Sequence, residues 1–283
     1  MIQYPQQFGG VVTRVLESGS GDENMVLIHG VAARADRWRS NLEPLGAAGY
    51  HVYAPDLPGH GLAEKGSSFV HSVPNYAAGV NGFLDEIDAE RVVLIGTSLG
   101  GHVAATAACD RPERVSALVL VGTVGIVVLG DERRANTSNR LASTSEEGIR
   151  SKLSVLMHDS KLATEDFVQE EWKINSSPGA ADSFAGVAKY FGEKIDDDVI
   201  GERLRQLSES FPTLVVWGRE DVGIPLDPVG FQTHEALPGS TLALIDDTAH
   251  APYYERPDAF NQIVLEFLGG TLGQSSITGV ELR

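Results

Sequence analysis

Residues 91–109 constrain the fold more than any other stretch of this chain. Arg91-Val92-Val93-Leu94-Ile95 is a short apolar run rich in β-branched residues, which predicts a buried strand. Residues 102–109 are rich in Ala and meet no breaker before Pro112, which predicts a helix. Between the two lies Gly96-Thr97-Ser98-Leu99-Gly100-Gly101. A chain that passes from strand to helix in so few residues turns sharply at Ser98. Only Gly fits at positions 96 and 100, where a Cβ would collide with its neighbours. The turn lifts the Ser98 hydroxyl above the sheet edge and brings the N–H of Leu99 beneath it.

A serine hydroxyl is a poor nucleophile at neutral pH, so this turn predicts a base and a group that orients the base. Residues 213–217 read as another buried strand, followed by the loop Gly218-Arg219-Glu220-Asp221. Asp221 then sits at the carboxyl end of a strand, where catalytic groups gather in open α/β sheets. Residues 241–245 read as the last strand and lead into the loop that carries His250. The order Ser98, Asp221, His250 is the one such a sheet requires. Glu220 is the nearer rival for the acid; Asp246 and Asp247 share the loop of His250 and suit the role less.

Acyl transfer builds negative charge on the carbonyl oxygen, and donors fixed around that position contribute the largest single catalytic effect. The Leu99 N–H is one candidate donor. Met25-Val26-Leu27-Ile28-His29-Gly30-Val31 reads as a strand running into a close-approach loop, so Val31 is the second, with Ala32 as its rival. Candidate substrate contacts are Trp172, His29 and Ala32, although a structural role suits His29 better than a catalytic one.

With these parts in place the chain resembles the α/β-hydrolase superfamily along nearly all of its length. His29-Gly30 resembles the start of the family's oxyanion loop, with Trp38 as the aromatic residue beyond it. Residues 53–61, Gly96 to Gly101, Trp217 to Asp221 and His250 to Pro257 resemble its other motifs. The resemblance implies a mostly parallel central sheet flanked by helices with an inserted helical lid. It also implies loop-fixing roles for Asp56, His60 and Glu255. The expected division is a core of 1–124 and 208–270, a lid of 125–207, and a loosely held tail of 271–283. Within the lid, residues 146–157, 165–173 and 180–191 have helical patterns.

Ser98 in place of an Asp points to acyl transfer to water. The lid and the run Trp217 to Asp227 look like those of hydrolases that cut ring-opened aromatic products between two carbons. The chain departs from that subfamily at Ala251, where it has Trp, at Thr97, where it has Asn, and at Glu171, where it has Arg. Arg34, Arg37 or Lys173 is then the replacement cation. His250 to Glu255 and Ser98 to His102 also look like those of small-molecule lactone hydrolases of the same superfamily, so the first reading is a serine hydrolase of a small ester or lactone, and the second a carbon–carbon hydrolase. A ligand receptor or a cofactor-free, His-dependent oxygenase or lyase comes third.

With 22 Lys and Arg against 39 Asp and Glu, the net charge of −17 argues against nucleic acid or an anionic membrane as partner. A small-molecule substrate is expected, with no cofactor and no metal; a homodimer is left open. The single Cys109 excludes an internal disulfide. The start has no basic segment followed by an apolar run, so a cytoplasmic protein is expected.

Overall fold

A computed structural model describes residues 1–143 and 145–283. Nine strands form one sheet: β1 (Ile2–Phe8), β2 (Val11–Ser18), β3 (Glu23–Ile28), β4 (Tyr50–Pro55), β5 (Val92–Thr97), β6 (Val115–Val121), β7 (Thr213–Gly218), β8 (Thr241–Ile245) and β9 (Val280–Leu282). Their spatial order is β1-β2-β4-β3-β5-β6-β7-β8-β9. Pairing is parallel from β4 through β3, β5, β6 and β7 to β8, and antiparallel at both ends.

The helices around the sheet are α1 (Arg39–Ala47), α2 (Val73–Glu86) and α3 (Leu99–Asp110), then α4 (Asp131–Ala142), α5 (Glu146–Leu156), α6 (Glu165–Asn175) and α7 (Ala180–Glu193). After these come α8 (Gly201–Arg205), α9 (Phe231–Ala236), α10 (Pro252–Glu255) and α11 (Pro257–Leu268). Side chains alternate across a strand, and both faces here are covered, so the central strands are mostly apolar on both faces. In β5, Val92 and Leu94 join the layer beneath α2 and α3, with Phe83, Leu84 and Val103. Val93 and Ile95 join the opposite layer, with Trp38, Leu42, Phe260 and Ile263. Trp38 stacks on Tyr253, ring centroids 3.9 Å apart, tying the entry of α1 to the segment after His250.

The excursion between β6 and β7 carries α4 to α8 and no strand among the described residues. Helices α5, α6 and α7 lie where the periodicity places them. Helix α4 was not anticipated, because DERRANTSNRLA buries only Leu141 and so has no apolar face to read. Strand β1 was missed for a related reason: it is an edge strand, mostly exposed, and contains Pro5, which an edge tolerates.

The tail expected to be loosely held is a correction. Residues 280–282 pair with β8 as a ninth strand, Arg283 exchanges two backbone hydrogen bonds with Leu242, and Leu272, Ile277 and Val280 pack on the core. Its lead-in of Gly and Ser masks a strand only three residues long. No helix among the described residues is long and apolar enough to cross a membrane.

Candidate active site

Ser98 occupies the turn between β5 and α3 with φ 54° and ψ −119°, a backbone conformation that L side chains rarely adopt. The neighbouring glycines make it feasible. A Cβ at Gly96 would lie 2.1 Å from the Gly100 carbonyl oxygen, and one at Gly100 would lie 2.3 Å from that of Ile28. The Ser98 N–H donates to the Val121 carbonyl, and its own carbonyl accepts from Gly101, which locks the turn between β6 and the first turn of α3. Leu99 opens α3, so its N–H has no partner within the helix.

Across the sheet, Asp221 follows β7 and His250 follows β8. Asp221 Oδ1 accepts from the N–H groups of Gly223 and Ile224, at 2.8 and 2.9 Å, which fixes the carboxylate. Its other oxygen lies 2.6 Å from His250 Nδ1. An ionised carboxylate only accepts, so Nδ1 carries the proton and Nε2 is left with a free lone pair. Burial pushes the His250 pKa down, but the Asp221 charge and hydrogen bond outweigh it, and the net shift is upward. Glu220 does not take this place; it accepts instead from the Thr248 N–H at 3.1 Å and braces the histidine loop. Glu255 braces it too, accepting from Ala249, His158 and Asp159. Gly122, at φ 49°, packs where a Cβ would stand 3.2 Å from His250 Nδ1.

Ser98 and His250 meet at a cavity of about 770 Å³, its open mouth included. Val31, Ala32, Leu156 and Arg37 line it with them. A second cavity of about 430 Å³ shares Ser98, His250, Val31 and Arg37 and continues past Thr97, Ala251 and Tyr253. Ser98 and His250 therefore stand where two adjoining clefts meet. No hydrogen bond joins Ser98 to His250 among the described residues; bonds of this kind commonly tighten only when substrate is bound. The Val31 N–H has no acceptor among the described residues, and Ala32 has a positive φ of 52°.

Two expected substrate contacts lie elsewhere. His29 is fully buried, accepts from the Leu57 N–H at Nε2 and contacts the Gly30 carbonyl through Nδ1, 2.7 Å away. Both nitrogens are engaged, so the ring fixes the loop and lines neither cavity. Asp56 fixes the same loop by accepting from the Ala35 N–H at 2.7 Å. Trp172 packs into the small lid cluster around Ile149, Leu153, Met157 and Val168. Its neighbour Glu171 faces the cavity instead, 2.6 Å from Arg34 and 3.1 Å from Arg37. Of the three replacement cations considered, Lys173 is exposed, and Arg34 and Arg37 are held by Glu171. Arg140, Lys152 and Asn175 also line the cavity, and sequence reasoning did not single them out. Each sits in a helix too polar or too short for its inner face to be read. Among the described residues, no group of three or more His, Cys, Asp or Glu side chains is arranged to hold a metal ion.

The chain is 30% identical over 272 residues to a 2-hydroxy-6-oxononadienedioate/2-hydroxy-6-oxononatrienedioate hydrolase of Cupriavidus pinatubonensis, covering 89% of each chain. It is 32% identical over 263 residues to an Escherichia coli protein of the same name, again covering 89% of each. Among solved structures, the meta-cleavage product hydrolase of Pseudomonas fluorescens IP01, complexed with acetates, superposes with a TM-score of 0.80. That match has 25% identity and covers 94% of this chain and 97% of the other. Residues 23–257 match the family model described as alpha/beta hydrolase fold, and with the sheet order, the lid and these relatives they place the chain in that family as a hydrolase.

Proposed function

We propose that this hydrolase cleaves a carbon–carbon bond next to a ketone in a ring-opened 2-hydroxy-6-oxo-dienoate, using Ser98 as nucleophile, His250 as base and Asp221 as the orienting acid. The observation that carries this reading is the pair of adjoining clefts that meet at Ser98 and His250, in a chain about 30% identical to hydrolases named for such compounds. His250 Nε2 takes the Ser98 proton as Oγ adds to the ketone carbon. The N–H groups of Leu99 and Val31 hold the oxyanion. Before cleavage the enol proton moves to the carbon beside the ketone, giving a 2-oxo-3-ene; when the carbon–carbon bond breaks, its electron pair passes into that enone as a dienolate, whose oxygen takes the proton from His250. Water then loses a proton to His250 and adds to the acyl-enzyme, releasing a carboxylic acid and restoring Ser98.

Hydrolysis of a small ester or lactone is the second reading. It is favoured by the Glu171 carboxylate, which occupies Arg34 and Arg37 where a dienoate would need a free cation. The purified enzyme, given a 2-hydroxy-6-oxonona-2,4-dienedioate, should bleach its dienolate absorbance with a kcat/KM at least tenfold above that for short p-nitrophenyl esters. Ester turnover with no loss of dienolate absorbance would reverse the order of the two readings.

A further inference from the structure

The cavity wall holds more positive charge than the protein itself neutralises. Three cationic side chains line it, Arg37, Arg140 and Lys152, against one carboxylate, Glu171. Glu171 is engaged by Arg37, and by Arg34 behind it. Arg140 and Lys152 have no carboxylate partner among the described residues. Arg140 reaches only the Thr137 hydroxyl, at 3.5 Å, and Lys152 Nζ donates to the Ser143 carbonyl at 2.6 Å. Burial lowers the Lys152 pKa to about 8, and the nearby Glu171 charge offsets part of that. Arg140 lines the same cavity as Ser98 and His250.

Asn175 adds an amide to the same wall. It lies one helical turn beyond Glu171 on α6, is 5% exposed, and its side chain has no hydrogen-bond partner among the described residues. Buried polar groups are ordinarily paired, and a partly buried ammonium is costly without a counter-charge. Groups that the fold leaves unpaired around a reaction cavity are arranged for a ligand. The net charge of −17 adds a second consideration. An anionic substrate is repelled by most of this surface, and a pair of lid cations inside the cavity supplies the local attraction that admits it.

We propose that Arg140, Lys152 and Asn175 form a carboxylate subsite in the lid wall, so that this enzyme selects substrates carrying an anionic end in addition to the bond attacked by Ser98. The subsite lies on α4, α5 and α6 and is separate from Arg37, which Glu171 pairs with, and from Arg34, which Asp36, Glu170 and Glu171 hold. The proposal rests on Ser98 and His250 being the reacting pair, but not on which bond they cleave.

The test uses matched esters, so that it stands even if carbon–carbon cleavage fails. One pair is p-nitrophenyl hemisuccinate and p-nitrophenyl 4-methylpentanoate, which differ at the acyl end by a carboxylate against an isopropyl group. A second pair, 4-acetoxybenzoate and 4-isopropylphenyl acetate, places the charge on the leaving side. Arg140→Gln and Lys152→Met should each lower the anionic-to-neutral ratio of kcat/KM at least tenfold in one of the pairs, through KM, and Arg140→Lys should restore most of it. Asn175→Ala should lower the ratio less. Ratios that stay within twofold of the parent in both pairs overturn the subsite.

Binding of glutarate to the Ser98→Ala protein, followed by calorimetry, reads the subsite without turnover. Arg140→Gln in that background should weaken it at least tenfold, and equal affinity in both proteins overturns the proposal. If no dienedioate is cleaved yet the ester ratio falls, the carbon–carbon reading fails and the subsite stands.

Discussion

The sheet and the lid are stabilised by different means. In the sheet, every side chain of β5 is buried and apolar or small, and Ser98, Asp221 and His250 hang from strand ends held by backbone hydrogen bonds. In the lid, α7 joins the main core through Val187, Ala188, Tyr190 and Phe191, whereas α4, α5 and α6 are rich in charge and α5 and α6 share a separate small apolar cluster. The lid is tied to the core by the buried Glu171 with Arg34 and Arg37, by the His250 N–H donating to the Leu156 carbonyl, and by Glu255 accepting from His158 and Asp159. Strand ends position Ser98, Asp221 and His250, whereas the lid supplies much of the cavity wall and, through the Leu156 carbonyl, one support of the His250 backbone. On the proposed function, the chemistry belongs to the core and the choice of substrate to the lid.

The sharpest way to break this division is to remove the nucleophile. Ser98→Ala should lower kcat by about 10⁵–10⁶-fold while circular dichroism and thermal unfolding stay as in the parent. A variant that keeps more than a hundredth of the rate would move the chemistry to His250 alone.

Next in size is the acid. Asp221→Asn leaves the carboxamide free to stabilise the wrong imidazole tautomer and should cost about 10⁴-fold in kcat, as in other triads. Glu220→Gln removes a brace of the loop rather than the acid and should cost no more than about tenfold. If steady-state kinetics rank the two variants the other way round, the assignment of the acid is wrong.

A change confined to the lid should act differently. Breaking a buried ion pair by removing one partner costs about 3–5 kcal/mol, whereas a solvent-screened pair such as Arg150 with Glu165 adds little. Glu171→Gln leaves Arg37 buried without its carboxylate, while Arg34 keeps Asp36 and Glu170, so α6 should exchange its amide hydrogens faster and KM should rise about tenfold or more, with a smaller change in kcat. If α6 exchange is unaltered, Glu171 does not tie the lid down.

The smallest effect is in pH. His250 must be neutral to accept a proton, and its pKa is raised above the ordinary value. The rate should therefore fall as pH drops through that raised value, by up to tenfold per unit below it. Asp221→Asn removes the charge that raises the pKa, so the acid limb of its residual activity should shift to lower pH. A pH–rate profile whose acid limb stays in place would uncouple the two residues.

Legibility in the sequence follows the same division. The buried parallel strands are continuous apolar runs, and the turn at Ser98 needs glycine at fixed positions, so the core could be read residue by residue. Asp221 was preferred over Glu220 from its place in the loop, and the hydrogen bond to His250 falls on Asp221. The lid was legible only as helices. Trp172 was taken for a contact because it is large and aromatic, yet its neighbour Glu171 faces the cavity, since a step of one residue turns a helix by about 100°. Arg140 gave no signal, because a polar helix facing a polar cavity has the same composition as one facing water. The final strand was hidden because edge pairing is made by backbone atoms, about which side-chain pattern says little.

Strands β6 and β7 are hydrogen-bonded neighbours, yet the chain travels from Val121 to Thr213 between them. A parallel pair needs some crossover, and a single helix would satisfy it. Everything from α4 to α7 is thus supernumerary to the sheet, grafted onto one connection at the rim that carries Ser98 and His250. Among the described residues that stretch contains no strand, so one contiguous segment of the chain shapes most of the cavity wall while the strand ends that carry Ser98, Asp221 and His250 lie outside it.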